Sequence, residues 1–266
     1  MYSAVLCFDL DGTLVDDEGR MHPADRELLR HEREVLFVPA TGRSLDALRR
    51  TFARNGVLAE GAIPFPLVLQ NGALTLRPGE RPHAVRPLDA ATGAALLAAM
   101  QASPEVAFLL FTPSAVHELW PSEFSRRMVR RFELDARPWG ERDARQPLTK
   151  VNAIAASPAT MQDFLARIAA LPLERSSSLP TVIELNAPGT NKGDALAALL
   201  ADLGLGDVPL LAAGDGENDL PLFARATRSF APDTAPAAIQ ARASQVVPAA
   251  RDGLLRPMLR ALEALR

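Results

Sequence analysis

Phe8-Asp9-Leu10-Asp11-Gly12-Thr13-Leu14 follows the apolar run Val5-Leu6-Cys7, so two carboxylates two residues apart leave the end of an expected buried strand. Converging carboxylates repel one another and lose solvation, and they are tolerated mainly where a divalent cation neutralises them. A cation beside an aspartate able to act as a nucleophile points to phosphoryl transfer. Spacing excludes a calcium-binding helix-loop-helix, which needs Gly at its sixth position and Glu at its twelfth. Here Gly12 is fourth from Asp9 and Arg20 is twelfth. A solvated acidic turn is the alternative reading of this segment taken alone.

Three further segments end apolar runs in polar residues. Val35-Leu36-Phe37-Val38-Pro39-Ala40-Thr41-Gly42-Arg43 feeds an amphipathic helical stretch. There a hydroxyl and backbone N–H groups could cradle an anion at a helix N-terminus, or Thr41 could simply cap the helix. Gly189-Thr190-Asn191-Lys192-Gly193-Asp194 introduces the apolar periodic stretch Ala195–Leu200. A lysine in a first helical turn opposes the macrodipole at a cost of roughly 0.3–1 kcal/mol. Either an anion compensates Lys192, or it is an exposed surface lysine. Finally, Val208-Pro209-Leu210-Leu211-Ala212-Ala213-Gly214-Asp215-Gly216-Glu217-Asn218-Asp219 is another strand pattern, closed by three carboxylates within five residues. Ligands of open α/β sheets bind beyond the carboxyl ends of the strands. If these strands run parallel, Asp9, Thr41 and Asp215 share one rim. Glu217 reads as a solvated turn residue.

In this order the four segments resemble the four motifs of the haloacid dehalogenase-like (HAD) superfamily of phosphatases. The long insert between the second and third motifs, and Gln70-Asn71-Gly72-Ala73 before it, resemble the Cof-type group with a large α/β (C2-type) cap. Asp233-Thr234-Ala235 and Pro221 depart from patterns common in relatives, outside the four motifs. The implied fold is α/β, a Rossmann-like parallel-sheet core with an inserted α/β cap domain. The expected bounds are 1–79 for the first part of the core, 80–187 for the cap and 188–266 for the rest of the core.

The implied activity is magnesium-dependent hydrolysis of a small phosphomonoester, a sugar phosphate or a phosphorylated cofactor, through an aspartyl-phosphate. Asp9 is the expected nucleophile. Asp11, on the same face of an extended backbone, is the expected acid and base. Mg2+ is expected on Asp9, the Asp11 carbonyl and Asp215, with Asp219 either a ligand or, like Asn218, an orienting group. Gly12, Thr41, Gly42, Lys192 and Asn218 form the expected phosphate site. A phosphotransferase or phosphomutase, and a non-catalytic phosphometabolite-binding protein, are the alternatives.

The elements that must position these residues follow from alternating strand and helix patterns. Strands are expected over 3–9, 34–39, 67–70, 106–111, 115–120, 149–155, 181–186 and 208–213. Helices are expected over 23–33, 44–55, 88–102, 121–134, 158–170, 193–203 and 219–226 and from about 253. Pro78, Gly79, Pro82 and Pro87 mark a crossing between domains. Arg126, Arg127, Arg130 and Arg131 make a basic stripe on a cap helix, read as a solvated face or as a contact to substrate, and Lys150 and Trp139 could face the cleft.

At 266 residues and 48% hydrophobic content the chain can bury sizeable cores. A net charge of −3 gives no reason to expect nucleic acid or an anionic membrane as partner. A lone cysteine, Cys7, and no leader pattern before Asp9 fit a reducing, cytoplasmic setting. The four histidines lack paired spacing, so zinc has no basis. The expected partner is a small phosphorylated metabolite, and a monomer and a homodimer are equally compatible with the sequence.

Overall fold

The computed structural model describes residues 2–58, 61–131, 134–140 and 143–264. Two compact units divide the chain: Met1–Arg43, Leu48–Ala84 and Asn191–Arg266 form one, and Ser44–Ala47 with Val85–Thr190 the other. In chain order the elements begin β1 (Ala4–Phe8), α1 (Pro23–His31), β2 (Val35–Pro39), α2 (Leu45–Arg54), β3 (Leu67–Leu69), β4 (Leu74–Arg77) and β5 (Arg81–Val85). The second unit contributes α3 (Ala90–Gln101), β6 (Ala107–Phe111), β7 (Val116–Glu118), α4 (Glu123–Arg131), β8 (Ala136–Pro138), β9 (Lys150–Ile154), α5 (Pro158–Arg167), β10 (Glu174–Leu179) and β11 (Val182–Asn186). The chain then adds α6 (Lys192–Asp202), β12 (Leu210–Ala213), α7 (Leu220–Phe223), β13 (Arg228–Pro232), α8 (Ala237–Gln240), β14 (Gln245–Val247), α9 (Ala249–Asp252) and α10 (Leu255–Glu263).

The first unit is built on a parallel five-stranded sheet, ordered β14-β13-β12-β1-β2. β1, β2 and β12 are apolar at nearly every position and wholly buried, as strands covered on both faces must be. On one face, Ala195, Leu196, Leu199 and Leu200 of α6 pack against Val5, Cys7, Leu36 and Val38. Phe8 pairs with both Pro39 and Ala213, which levels the carboxyl ends of the three central strands. By sequence the strands run 2-1-3-4-5 across the sheet, so the winding reverses between β1 and β12. β3, β4 and β5 form a separate small sheet.

The second unit carries a six-stranded sheet, β10-β11-β9-β6-β7-β8, antiparallel except for the β7–β8 pair. Leu96, Met100, Met161 and Phe164 pack on one face, from α3 and α5. Phe124, Met128 and Val129 of α4 lie against Leu109, Phe111 and Ile154 on the other. Lys150 is buried in this sheet, its Nζ 2.7 Å from Glu184 Oε1 and 4.4 Å from the centre of the Phe111 ring. Trp139 packs edge-on against His117 with ring centres 5.1 Å apart. Arg126, Arg127 and Arg130 are exposed along α4, whereas the side chain of Arg131 lies outside the described residues.

The expected α/β fold is present, with differences in detail. Periodicity misses β4, β5, β8, β10, β13 and β14. Pro82 falls inside β5, at the edge of its sheet, where proline is tolerated. The helix expected over 219–226 is one turn of 3-10 helix, Glu217–Asp219, followed by the short α7. The units separate after Ala84 and after Thr190. No helix among the described residues is long and apolar enough to cross a membrane.

Candidate active site

Each strand of the central trio hands its first or second following residue to one place. The Asp9 N–H donates to the Ala213 carbonyl at 3.0 Å and the Ala40 N–H to the Phe8 carbonyl at 2.8 Å, so the ladder continues one step past the strands. Asp9, Thr41 and Gly214-Asp215 therefore leave the sheet together, Asp9 and Asp215 on either side of the winding reversal. Gly12 has φ +74°, and a Cβ there would collide with the Asp215 carboxylate. Only glycine allows that close approach at that angle. Thr13 Oγ1 donates to Asp215 Oδ1 at 2.6 Å.

Lys192 stands in the first turn of α6 and is fully buried. The anions that compensate it are the protein's own: Nζ lies 2.9 Å from Asp9 Oδ1 and 2.7 Å from Asp219 Oδ1. Asn191 caps the helix, its Oδ1 accepting the Asp194 N–H at 2.8 Å. Asp219 is also fully buried, and its Oδ2 accepts the N–H groups of Asp215 and Gly216, both at 3.0 Å.

Carboxylate oxygens of Asp9, Asp215 and Asp219 lie within 4.8 Å of one another. Three carboxylates thus face one buried ammonium, which leaves an excess of negative charge. Burial pushes the Asp9 carboxyl well above its usual range, Lys192 opposes the rise, and Asp219 and Asp215 add to it. Burial also drives Asp215 up to about 6, against the Thr13 hydrogen bond and with repulsion from Asp219. Burial works against the charge on Lys192, but Asp219 and Asp9 outweigh it and hold the ammonium above its ordinary value. A hard oxygen donor set short of positive charge fits a divalent cation such as Mg2+. Within the cluster Asp9 and Asp215 fit as ligands, whereas both oxygens of Asp219 are already committed to Lys192 and to backbone N–H groups.

Asp11 sits apart from that cluster. It is exposed, and the Arg43 guanidinium grips both its oxygens, with Nε 2.8 Å from Oδ2. Arg43 is itself anchored by Nη1, which donates to the buried Thr51 hydroxyl on α2 at 2.6 Å. Thr41 is buried, and its Oγ1 accepts the Arg43 N–H at 3.2 Å. Gly42 and Asn218 are partly buried, and Glu217 is exposed.

A family model described as haloacid dehalogenase-like hydrolase matches residues 6–256. The chain belongs to the haloacid dehalogenase-like hydrolases. It is 28% identical over 248 residues to the HMP-PP phosphatase of Cronobacter sakazakii, covering 84% of this chain and 81% of that one. A solved Thermotoga maritima structure superposes with a TM-score of 0.81 at 22% identity, covering 98% of this chain and 97% of the other. A sugar phosphatase of HAD subclass IIB gives 0.79 at 20% identity, with 97% and 98% covered. At those identities the two structures establish the fold.

The structure of this hydrolase brings Asp9, Lys192, Asp215 and Asp219 together and ties Thr13 into the group. The roles of Thr13, Arg43 and Asn71 are not legible in the sequence. Their partners are distant: Thr13 and Asp215 are 202 residues apart and Arg43 and Asp11 are 32. The signals were the identity of Arg43, a fork-shaped donor within the second motif, and the place of Asn71 in Gln70-Asn71-Gly72-Ala73.

Proposed function

We propose that this hydrolase releases inorganic phosphate from a small phosphomonoester by phosphoryl transfer to Asp9 and then to water. The observation that carries the reading is the buried Asp9–Lys192–Asp219 ion-pair group with Asp215 beside it, at the carboxyl ends of parallel strands on both sides of a winding reversal. Asp9 attacks phosphorus, and the bond to the ester oxygen breaks as Asp11 gives that oxygen a proton. Asp11 then takes a proton from a water molecule whose oxygen attacks phosphorus, which breaks the Asp9–phosphorus bond and frees phosphate. Arg43 holds the ionised Asp11 by both oxygens; the protonated acid keeps that contact through one oxygen and presents its proton on the other.

The Thr41 hydroxyl accepts from Arg43 and so turns its own proton toward a phosphate oxygen, beside the N–H groups of Gly42 and Gly12. Asn218 completes that side. Lys192 offsets the charge that spreads over the non-bridging oxygens in a loose transition state. Asp219 fixes Lys192 in place. Mg2+, when bound by Asp9, the Asp11 carbonyl and Asp215, supplies charge neutralisation and alignment of the phosphoryl group. The second unit serves as the cap that selects substrate. The similarity to a sugar phosphatase and to an HMP-PP phosphatase supports a sugar phosphate or a phosphorylated cofactor as substrate class.

Acid quench during turnover followed by peptide mass spectrometry tests the intermediate. A phosphorylated peptide containing Asp9 is expected, and phosphate release without any such peptide at the earliest times contradicts the mechanism.

A further inference from the structure

Gln70-Asn71-Gly72, between β3 and β4, adopts a backbone that its sequence does not favour. Gln70 and Asn71 have φ of 53° and 60° and are 1% and 3% exposed. L-residues avoid this left-handed region, Asn less than Gln, and two in succession persist only where the surroundings impose them. The surroundings here are three loops of the candidate site. The Asn71 N–H donates to the Thr41 carbonyl at 3.1 Å and the Gln70 N–H to the Arg43 carbonyl at 3.2 Å. Asn218 Nδ2 donates to Asn71 Oδ1 at 3.4 Å. Gly72 has φ +98°, and a Cβ there would collide with the carbonyl of Asn191, the residue that caps α6 ahead of Lys192. One strained turn thus touches the loop after β2, the start of α6 and the loop after β12.

We propose that Asn71 is a positioning residue of the phosphate site, fixing Asn218 relative to Thr41 through its side chain and its N–H; the inference rests on the functional reading above. Its backbone sets the Thr41 side of the site and its Oδ1 sets the direction of the Asn218 amide. Asn71 itself touches no reacting atom. A structural turn residue affects stability, whereas a positioning residue affects turnover through its partner.

Replacing Asn71 by glycine keeps the left-handed backbone open and removes only the side chain. The test compares the full-length wild type, Asn71→Gly, Asn218→Ala and the double variant with Mg2+ and the best phosphomonoester found for the wild type. Asn71→Gly is expected to lower kcat about ten-fold, with the melting temperature unchanged. In the Asn218→Ala background the same substitution is expected to have no further effect. An unchanged kcat in Asn71→Gly, or independent multiplication of the two losses, overturns the inference.

A second readout separates this inference from the functional reading. The Asn218 side-chain amide resonance in 15N-labelled protein, titrated with inorganic phosphate and Mg2+, needs no turnover. About ten-fold weaker phosphate binding in Asn71→Gly is expected. Equal affinity, or no response in the wild type, overturns the inference. A wild type that binds phosphate but hydrolyses no phosphomonoester contradicts the functional reading instead.

Discussion

Lys192 carries the electrostatics of the site. A buried ammonium held by two carboxylates leaves both uncompensated if it is removed, a change that typically costs about 3–5 kcal/mol. Lys192→Met should therefore lower stability in denaturant titrations without metal as well as abolish turnover, and an unchanged midpoint would contradict the buried ion-pair group. Arg43 acts at the other carboxylate. Arg43→Lys keeps a charge and loses the planar fork that spans both Asp11 oxygens. It is predicted to lower kcat by about 10- to 100-fold with little change in KM, and a loss confined to KM would show that Arg43 serves binding instead. These two residues differ in how well the sequence announces them. A lysine at a helix start contradicts local electrostatics, so its partner could be anticipated, whereas nothing near Arg43 in the sequence marks Asp11 as its partner.

Elements show the same division. β1, β2 and β12 are legible because burial on both faces demands continuous apolar runs, and the residues that follow them mark the rim. β13, Arg228-Ser229-Phe230-Ala231-Pro232, and β14, Gln245-Val246-Val247, lie toward one edge of the sheet and include polar positions, so periodicity passes over them. β10 reads Glu-Arg-Ser-Ser-Ser-Leu and is visible only as the partner of β11. Long-range caps are equally silent. Asp25 on α1 accepts the N–H groups of Leu254 and Leu255, both at 2.8 Å, at the start of α10. Asp25→Ala is predicted to cost about 2 kcal/mol, read as a lower denaturation midpoint with kcat retained; an unaltered midpoint would show that α10 docks by apolar packing alone. In α6, a Cβ on Gly193 would drive into the Pro221 carbonyl. Gly193→Ala should thus lower the melting temperature although alanine is the better helix former, and a rise would place packing below propensity here.

At the scale of the whole molecule, the converging carboxylates make the metal-free protein sensitive to pH. Burial raises Asp215 from 3.8 to about 6. The folded state therefore favours the protonated acid more than the unfolded chain does, and its stability falls as pH rises through that window. Below about 6 a proton competes for the carboxylate that a cation needs. The rise in melting temperature on adding Mg2+ should be large at pH 7.5 and small at pH 5, and equal shifts at both would contradict the proposed metal site. In the second unit, buried Lys150 and the exposed arginines of α4 read alike as charges in sequence. The proposed reaction depends on Asp9. Phosphate release from sugar phosphates, flavin mononucleotide, pyridoxal phosphate and an aryl phosphate, measured with and without Mg2+ for the wild type and Asp9→Asn, tests it most directly. Magnesium-dependent release by the wild type alone is the predicted result, and equal release by a folded Asp9→Asn would contradict it.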